Sequence, residues 1–255
     1  MARATHELVR GFDQAAATYE RGRPEYPPEA VRHLVETLRI GPGRTVVDLG
    51  AGTGKFTRSL LPTGARVVAV EPTAGMRAEF HRILPSAELL DGTAEHIPLP
   101  SDSVDAVVSA QAFHWFDPVP TAEELHRVLR RGGGLGLIWN LRDEAEPWVA
   151  ELTRLLDARD QGAPRGRKLT WKPPFESTGR FTPFEYRAFR QVQRANRETI
   201  RARVRSVSFI AVLPPAEQEE VDRELQELLD RAPATRGKDV IELPYRTDVY
   251  WAFRR

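Results

Sequence analysis

The sequence contains no cysteine, so disulfides, thiolate metal sites and cysteine nucleophiles are excluded. An excess of charge of one sign is also missing, because 37 Lys and Arg stand against 36 Asp and Glu. A chain with so little net charge has no global field that would draw it onto nucleic acid or an anionic membrane. Any such contact would have to come from a local patch.

Long apolar runs are absent as well, and none approaches the length of a membrane span. The first ten residues include Arg3, His6, Glu7 and Arg10, which leave no apolar core for a signal peptide. We therefore expect a soluble, cytoplasmic protein. The six histidines show no pair at the helical spacing of metal ligands beside a carboxylate, so we predict no metal site.

What the sequence does contain is an alternation of short apolar strands with amphipathic helices. Strands are predicted at 44–49, 66–70, 87–90, 104–109 and 135–139, and helices at 29–38, 55–61, 73–84 and 121–130. Gly132-Gly133-Gly134 is predicted to end the last of these helices before the next strand. This alternation predicts an α/β fold with a Rossmann-like, doubly wound, mostly parallel sheet and helices on both faces. After residue 139 the pattern changes to longer helices and loops, and 239–253 alternates like a terminal, antiparallel strand.

The strongest chemical signal is a glycine turn at the end of the first predicted strand, where Asp48 precedes Gly50, Gly52 and Gly54. Glycines adopt positive φ and let a ligand approach the backbone, and doubly wound folds bind nucleotides at the carboxyl ends of their strands. Glu71 ends the second strand about twenty residues later, where an acid can accept hydrogen bonds from both ribose hydroxyls. The two signals together predict a nucleotide-type cofactor.

The spacing of this turn disfavours two common nucleotide loops. Lys55 stands where a dinucleotide-binding loop would place its third glycine, which argues against a dehydrogenase of the same architecture. A phosphate-binding P-loop would need Gly-Lys-Ser/Thr after a four-residue spacer from Gly50, and the sequence lacks it.

Asp48-x-Gly50-x-Gly52-x-Gly54 with Glu71 resembles the S-adenosylmethionine (SAM) signature of class I methyltransferases, and Asp91-Gly-Thr-Ala-Glu95 before Ile97-Pro98 resembles their third motif. This resemblance covers Val46 to Arg142. Flanking segments are similar to the small-molecule branch that includes trans-aconitate methyltransferase-like enzymes. They are Tyr19-x-x-x-Arg23-Pro24-x-Tyr26-Pro27, Phe113-His114-Trp115-Phe116, Trp139-Asn140-x-Arg142-Asp143, Ser206-x-Ser208-Phe209 and Pro244-Tyr245-Arg246-Thr247.

The resemblance implies SAM as cofactor, with S-adenosyl-L-homocysteine as product. The glycine turn would lie along the methionine part of SAM, Glu71 would bind the ribose, Met76 or Pro72 would cover the adenine, and Ala94 would offer it a backbone N–H. Met76 equally suits plain core packing, and Arg23 would pair with the SAM carboxylate or with an acidic acceptor. The cofactor-binding residues predicted in this way are Asp48, Gly50, Ala51, Gly52, Glu71, Pro72, Met76, Thr93, Ala94, Glu95 and Arg23.

One position departs from the family pattern. Thr93 stands where the family often has an aspartate that accepts a hydrogen bond from the adenine amino group. Either Thr93 or Glu95 would take over this contact.

The acceptor side is predicted after the fourth strand, from Tyr19, His114, Trp115, Asn140 and Arg142. His114 is the candidate catalytic residue because histidine titrates close to neutrality. It would be either a general base or a wall of the pocket, and the aromatic run around it favours the wall. The resemblance implies in-line methylation of a carboxylate or hydroxyl oxygen on a small molecule.

The predicted organisation has four segments. Residues 1–40 form an N-terminal helical segment over the cofactor site, and 41–143 form the SAM-binding core. Residues 144–233 form a helical and loop insertion that caps the acceptor and carries one core strand near 184–189, and 234–255 supply the strand that completes the sheet.

Two other functions stay open. An RNA methyltransferase would use the arginine-rich stretch 194–205, but Glu198 interrupts it and no aromatic residue for base stacking comes before Phe209. A non-catalytic SAM-binding protein would keep the loop and Glu71 but lack an acceptor cavity. The sequence does not specify the acceptor or the oligomeric state.

Overall fold

The computed structural model describes residues 20–160, 162 and 164–255. Its strands are β1 (Thr45–Leu49), β2 (Arg66–Val70), β3 (Glu88–Leu90), β4 (Val104–Ala110), β5 (Leu129–Arg142), β6 (Glu185–Ala195) and β7 (Ile241–Phe253). Its α-helices are α1 (Pro28–Thr37), α2 (Thr57–Leu60), α3 (Ala74–Ile83), α4 (Pro118–Val128), α5 (Pro147–Asp157), α6 (Lys172–Ser177), α7 (Arg197–Arg205), α8 (Ser208–Ala211) and α9 (Pro215–Arg231). Short 3-10 helices cover Leu61–Thr63, Phe113–Trp115 and Gly166–Lys168.

The strands form one seven-stranded sheet in the order β3-β2-β1-β4-β5-β7-β6. β1 pairs in parallel with β2 and β4, β2 with β3, and β4 with β5. β7 runs antiparallel to β5, because the N–H of Asp143 donates to the carbonyl of Pro244 while the N–H of Arg254 donates to that of Gly133. The predicted Rossmann-like, mostly parallel sheet with an antiparallel terminal strand is confirmed.

Close packing of α1 explains two glycines in β5. A Cβ on Gly136 would lie 2.8 Å from Leu34 Cδ1, and one on Gly134 would lie 2.5 Å from Leu38 Cδ2. Both leucines are buried, together with Val46 of β1. Since central parallel strands are covered on both faces, their sequences read as continuous apolar runs.

The predicted boundaries around α4 and β5 were wrong. The helix predicted at 121–130 begins at Pro118 and ends at Val128, and β5 begins directly at Leu129. The glycines at 132–134 lie inside this strand rather than ending the helix. Gly132 has φ of 73°, and the pairing of β5 with β4 shifts register between Val104 and Ala106.

The chain divides into two compact units. The sheet unit comprises residues 25–140, 164–189 and 247–255, and the described part of the helical unit comprises 20–24, 141–160, 162 and 190–246. The helical unit has its own core, which includes Val149, Leu152, Val204, Val221 and Leu225. Residues of the predicted insertion 144–233 occur in both units.

Candidate functional site

The glycine turn after β1 belongs to the sheet unit and has a left-handed backbone, with φ of 70° at Gly50 and 57° at Gly52. A Cβ on Gly50 would lie 2.7 Å from the Cβ of Ala112, so only glycine fits. At Gly52, apart from its two chain neighbours, no described residue has a heavy atom within 4 Å of where a Cβ would stand. The backbone at Gly52 therefore borders open space in which a ligand can contact it.

The carboxylate of Glu71, at the end of β2, is bonded to this turn. Its Oε2 accepts from the N–H of Gly52 at 3.0 Å, and its Oε1 accepts from the N–H of Thr73 at 2.9 Å. Glu71 is only 6% exposed, and this burial raises the pKa of its carboxyl group, while the hydrogen bonds oppose the rise. Because a carboxylate has about four lone-pair sites, two remain for hydroxyl donors.

Asp48 lies buried in β1, two residues before Gly50. The Thr57 hydroxyl donates to its Oδ2 at 2.6 Å, whereas its Oδ1 has no hydrogen-bond partner among the described residues. Burial raises the pKa of Asp48 to about 7. A buried acceptor atom without a donor at this place indicates that a ligand or water completes the site.

The residues predicted at the adenine side follow β2 and β3. Pro72 is exposed and Met76 is buried on α3. Ala94 is buried between two exposed residues: Thr93, whose hydroxyl accepts from the N–H of His96, and Glu95, whose carboxylate accepts from the N–H of Asp117. Both residues that could replace the aspartate of the family pattern thus already accept a hydrogen bond from a backbone N–H.

Arg77 on α3 was not predicted from the sequence. Its Nη1 donates to the carbonyls of Glu71 and Pro72, and its Nη2 lies 2.8 Å from Asp91 Oδ2. It thereby joins the end of β2 to the third motif. The only sign of this role in the sequence is the position of Arg77, directly after Met76 and about one turn into the predicted helix 73–84.

His114 lies in the 3-10 helix after β4, and Trp139 of β5 donates from its indole Nε1 to His114 Nδ1 at 3.2 Å. Trp115 contacts the same imidazole, with ring centroids 5.3 Å apart. Phe113 beside it is fully buried, edge-on to Trp171 at 5.1 Å. Buried aromatic rings therefore support the turn that carries His114.

The buried side chain of Asn140 holds two other segments of the sheet unit. Its Oδ1 accepts from the Thr247 hydroxyl at 2.6 Å, and its Nδ2 donates to the carbonyl of Glu25 at 3.1 Å. The Glu25 carboxylate in turn pairs with Lys55 at 3.0 Å and with Arg58 at 3.1 Å. Lys55 is thus part of a polar network beside the glycine turn, a role that the sequence did not predict.

The remaining predicted residues belong to the helical unit or lie outside the described residues. Arg23 and Arg142 belong to the helical unit, where Arg23 Nη2 donates to the Ser206 carbonyl at 3.3 Å and Arg142 Nε donates to the Thr153 hydroxyl at 3.2 Å. Tyr19 lies outside the described residues.

Neither a metal-binding cluster nor a membrane-spanning helix occurs among the described residues. Within residues 20–160, 162 and 164–255, no group of three or more His, Asp or Glu is arranged to hold a metal ion. None of the helices described is long and apolar enough to cross a membrane.

Comparison with known sequences gives consistent matches. A family model described as a methyltransferase domain matches residues 47–137. An uncharacterized methyltransferase of Mycobacterium tuberculosis is 41% identical over 244 residues, which cover 94% of each chain. An uncharacterized methyltransferase-like protein of Schizosaccharomyces pombe is 34% identical over 240 residues, covering 94% of this chain and 93% of the relative. Malonyl-acyl-carrier-protein O-methyltransferase of Yersinia pestis is 34% identical over 127 residues, covering 49% of this chain and 47% of that enzyme.

Solved structures share the fold at lower identity. An inferred type II methyltransferase of Anaeromyxobacter dehalogenans has a TM-score of 0.67 and 24% identity, covering 91% of this chain and 97% of that one. A phosphoethanolamine N-methyltransferase of Haemonchus contortus, solved with S-adenosylhomocysteine, has a TM-score of 0.56 and 14% identity, covering 95% of this chain and 57% of that one.

Proposed function

The chain belongs to the methyltransferase domain family, and from this premise we propose that it transfers a methyl group from SAM to an oxygen atom of a small-molecule acceptor. One observation carries the proposal: the open backbone at Gly52 lies beside the buried carboxylate of Glu71, to which it is hydrogen-bonded. The flanking motifs favour the branch that includes trans-aconitate methyltransferase-like enzymes.

The residues present fit SAM. Gly52 leaves space for a ligand against the backbone, Glu71 keeps acceptor capacity for ribose hydroxyls, and Asp48 Oδ1 is an acceptor that none of the described residues satisfies. When bound, SAM supplies an electrophilic methyl group on a sulfonium. Gly50 to Gly52 would hold its methionine part, while Met76 or Pro72 would cover the adenine.

Methyl transfer requires little covalent help from the protein. Holding the acceptor oxygen in line with the methyl group can account for about 7–11 kcal/mol of the barrier, and a pocket closed to water prevents side reactions. His114 and Trp115 would therefore orient the acceptor rather than react with it. Oxygen as the methylated atom is supported by the O-methyltransferase of Yersinia pestis, which matches about half of this chain.

Isothermal titration with SAM, S-adenosylhomocysteine and NAD tests the cofactor. We expect binding of the first two and none of NAD. The acceptor is then sought by incubating the protein with a metabolite extract and isotopically labelled SAM, and by identifying the molecule that gains the label. Tight NAD binding with no response to SAM would refute the proposal.

The arginine-rich stretch does not favour the RNA alternative, because acids on α9 pair with it inside the helical unit. Arg201 and Arg205 both pair with Asp222, at 2.5 and 2.6 Å, and Arg197 pairs with Asp230 at 2.8 Å. A phosphate backbone would have to displace these carboxylates. Label incorporated into RNA but into no small molecule would establish the alternative.

A further inference from the structure

We propose that Arg77 of α3 is a positioning residue for the cofactor, which ties the end of β2 to the start of the third motif and so fixes Glu71, the candidate ligand of the ribose. The inference rests on the proposed function and adds to it a residue that acts through Glu71. All the contacts that support it lie within the sheet unit.

The guanidinium of Arg77 contacts both strand ends at once. The N–H of Glu71 donates to the carbonyl of Leu90 at 3.1 Å, where β2 still runs beside β3. Past this bond, Arg77 Nη1 donates to the carbonyls of Glu71 and Pro72, at 3.0 and 2.6 Å. Its Nη1 and Nη2 also reach the two carboxylate oxygens of Asp91, at 3.1 and 2.8 Å. One rigid planar group thus holds the residues that follow β2 and β3 at a fixed distance.

The same arginine closes a ring of hydrogen bonds around Glu71. The N–H of Thr73 donates to Glu71 Oε1 at 2.9 Å, and the N–H of Arg77 donates to the carbonyl of Thr73 at 3.0 Å. The side chain of Arg77 then folds back onto the Glu71 carbonyl. Glu71 is therefore held at its carbonyl by Arg77 and at its carboxylate by the N–H groups of Thr73 and Gly52.

Helix stability does not account for an arginine at this position. Arg77 lies in the first turn of α3, where the helix dipole favours acids and disfavours cations. The first turn contains no acid that would compensate the charge. The charge of Arg77 is directed instead to Asp91 and to the strand end that carries Glu71.

This positive charge also favours the ionised form of Glu71. Burial raises the pKa of the Glu71 carboxyl, whereas its hydrogen bonds and the charge of Arg77 lower it. Asp48, buried on β1, acts against ionisation because the two carboxylates repel each other, and Asp91 pairs with Arg77 itself. Removing the charge of Arg77 therefore raises the pKa of Glu71. A protonated carboxyl group donates from one oxygen and offers fewer acceptor sites to ribose hydroxyls.

Carbon-13 NMR of the glutamate carboxyl groups tests this effect without any ligand. Glu71→Gln identifies the Glu71 signal by its loss. We expect the pKa of Glu71 to be higher in Arg77→Met than in the wild type, and to return most of the way in Arg77→Lys, which keeps the charge. Asp91→Asn serves if Arg77→Met does not fold, and it should lower the pKa of Glu71 by removing a negative charge. An unchanged pKa in either variant would overturn the proposal.

Methylthioadenosine, which lacks the amino and carboxyl groups of SAM, tests the effect on binding. Without those groups, the pH dependence of its affinity reports groups of the protein. We expect Arg77→Met to bind it about tenfold more weakly at about pH 8. Its affinity should also begin to fall at a higher pH than in the wild type, by up to about tenfold per pH unit as Glu71 takes up a proton. Arg77→Lys should restore this pH profile but not the full affinity.

Arg82→Met is the matched control, because Arg82 lies further along α3 and pairs with Glu79 of the same helix at 2.7 Å. We expect wild-type affinity and a wild-type pH profile. An equal loss of affinity in Arg77→Met and Arg82→Met would mean a general weakening of α3 and would contradict the positioning role.

The two possible failures give different results. A wild-type protein that binds neither SAM nor methylthioadenosine would refute the proposed function. A wild-type protein that binds both, with the affinity and pH profile unchanged in Arg77→Met, would refute only the role of Arg77.

Discussion

At the scale of single residues, Glu71 links the glycine turn to the second strand and is the candidate ligand of the ribose. Its two oxygens already accept N–H groups from Gly52 and Thr73, so its orientation is set before any ligand arrives. A carboxylate oriented in this way loses little conformational freedom on binding.

We predict that Glu71→Ala weakens SAM binding by about 1.5–3 kcal/mol, the scale for hydrogen bonds to a charged group. Isothermal titration measures the loss, and circular dichroism checks the fold. Glu88→Ala is the control, because Glu88 forms an exposed pair with Arg66 at the opposite end of β2. If Glu71→Ala unfolds but binds SAM normally once refolded, Glu71 is structural.

Asn140 provides a second residue-scale test, since its buried amide bonds the Thr247 hydroxyl and the Glu25 carbonyl. We predict that Asn140→Ala lowers the free energy of unfolding by about 1–3 kcal/mol, because the buried Thr247 hydroxyl and the Glu25 carbonyl both lose a hydrogen bond, the second of them partly buried. Urea denaturation measures this loss, and Thr247→Val should reproduce part of it. Unchanged stability with a raised acceptor KM would instead support the acceptor-binding role predicted from the sequence.

At the scale of elements, the glycine turn uses its glycines for two different reasons. Gly50 is needed because a side chain would collide with Ala112, whereas no described residue beyond its chain neighbours fills the space around the position of a Cβ on Gly52. Substitutions at these two glycines should therefore have different effects: a side chain at Gly50 mainly lowers the stability of the fold, and one at Gly52 mainly lowers ligand affinity.

We predict that Gly52→Ala costs about 1–2 kcal/mol of stability, from its φ of 57°, and lowers SAM affinity at least tenfold by filling the open space. Gly43→Ala is the matched control, since Gly43 has φ of 77° and equally open surroundings outside the turn. It should lose similar stability and no SAM affinity. Gly50→Ala should lose more stability than either. Normal SAM affinity in Gly52→Ala would place the cofactor elsewhere.

At the scale of the whole molecule, Asp48 should make stability depend on pH. Its pKa is raised by burial from the usual 3.8 to about 7, so the folded state binds a proton that the unfolded state releases. Relative to high pH, this bound proton on Asp48 contributes stability to the folded state. The contribution is fully present below about pH 4 and is lost as pH rises to about 7. Asp105, Glu124 and Asp222, whose pKa values are lowered mainly by arginine and backbone partners against the cost of burial, act in the opposite direction.

We therefore predict that the difference in unfolding free energy between Asp48→Asn and the wild type grows between pH 4 and 7 in favour of the variant, by up to about 1.4 kcal/mol per pH unit. Asparagine keeps an oxygen for the Thr57 hydroxyl, so the comparison isolates the titration. Urea titrations at several pH values measure it. Parallel pH curves for the two proteins would contradict the raised pKa.

The sequence by itself determined the parallel strands β1 to β4 and the position of the glycine turn between β1 and α2. Apolar runs at 44–49 and 66–70 lie within one or two residues of β1 and β2, because burial on both faces leaves a local signature. Asp48, the glycine turn and Glu71 were predictable for the same reason, since the carboxyl ends of adjacent parallel strands meet at one edge.

The tertiary structure alone decided which polar atoms meet. Trp139 and His114 are 25 residues apart, Asn140 and Thr247 are 107 apart, and no local periodicity relates them. The glycines at 132–134 predicted the end of a helix because glycine commonly stops helices, yet β5 runs through them. Local patterns specify backbone conformation and the buried face, whereas the partner of each buried donor depends on how distant strands and helices pack.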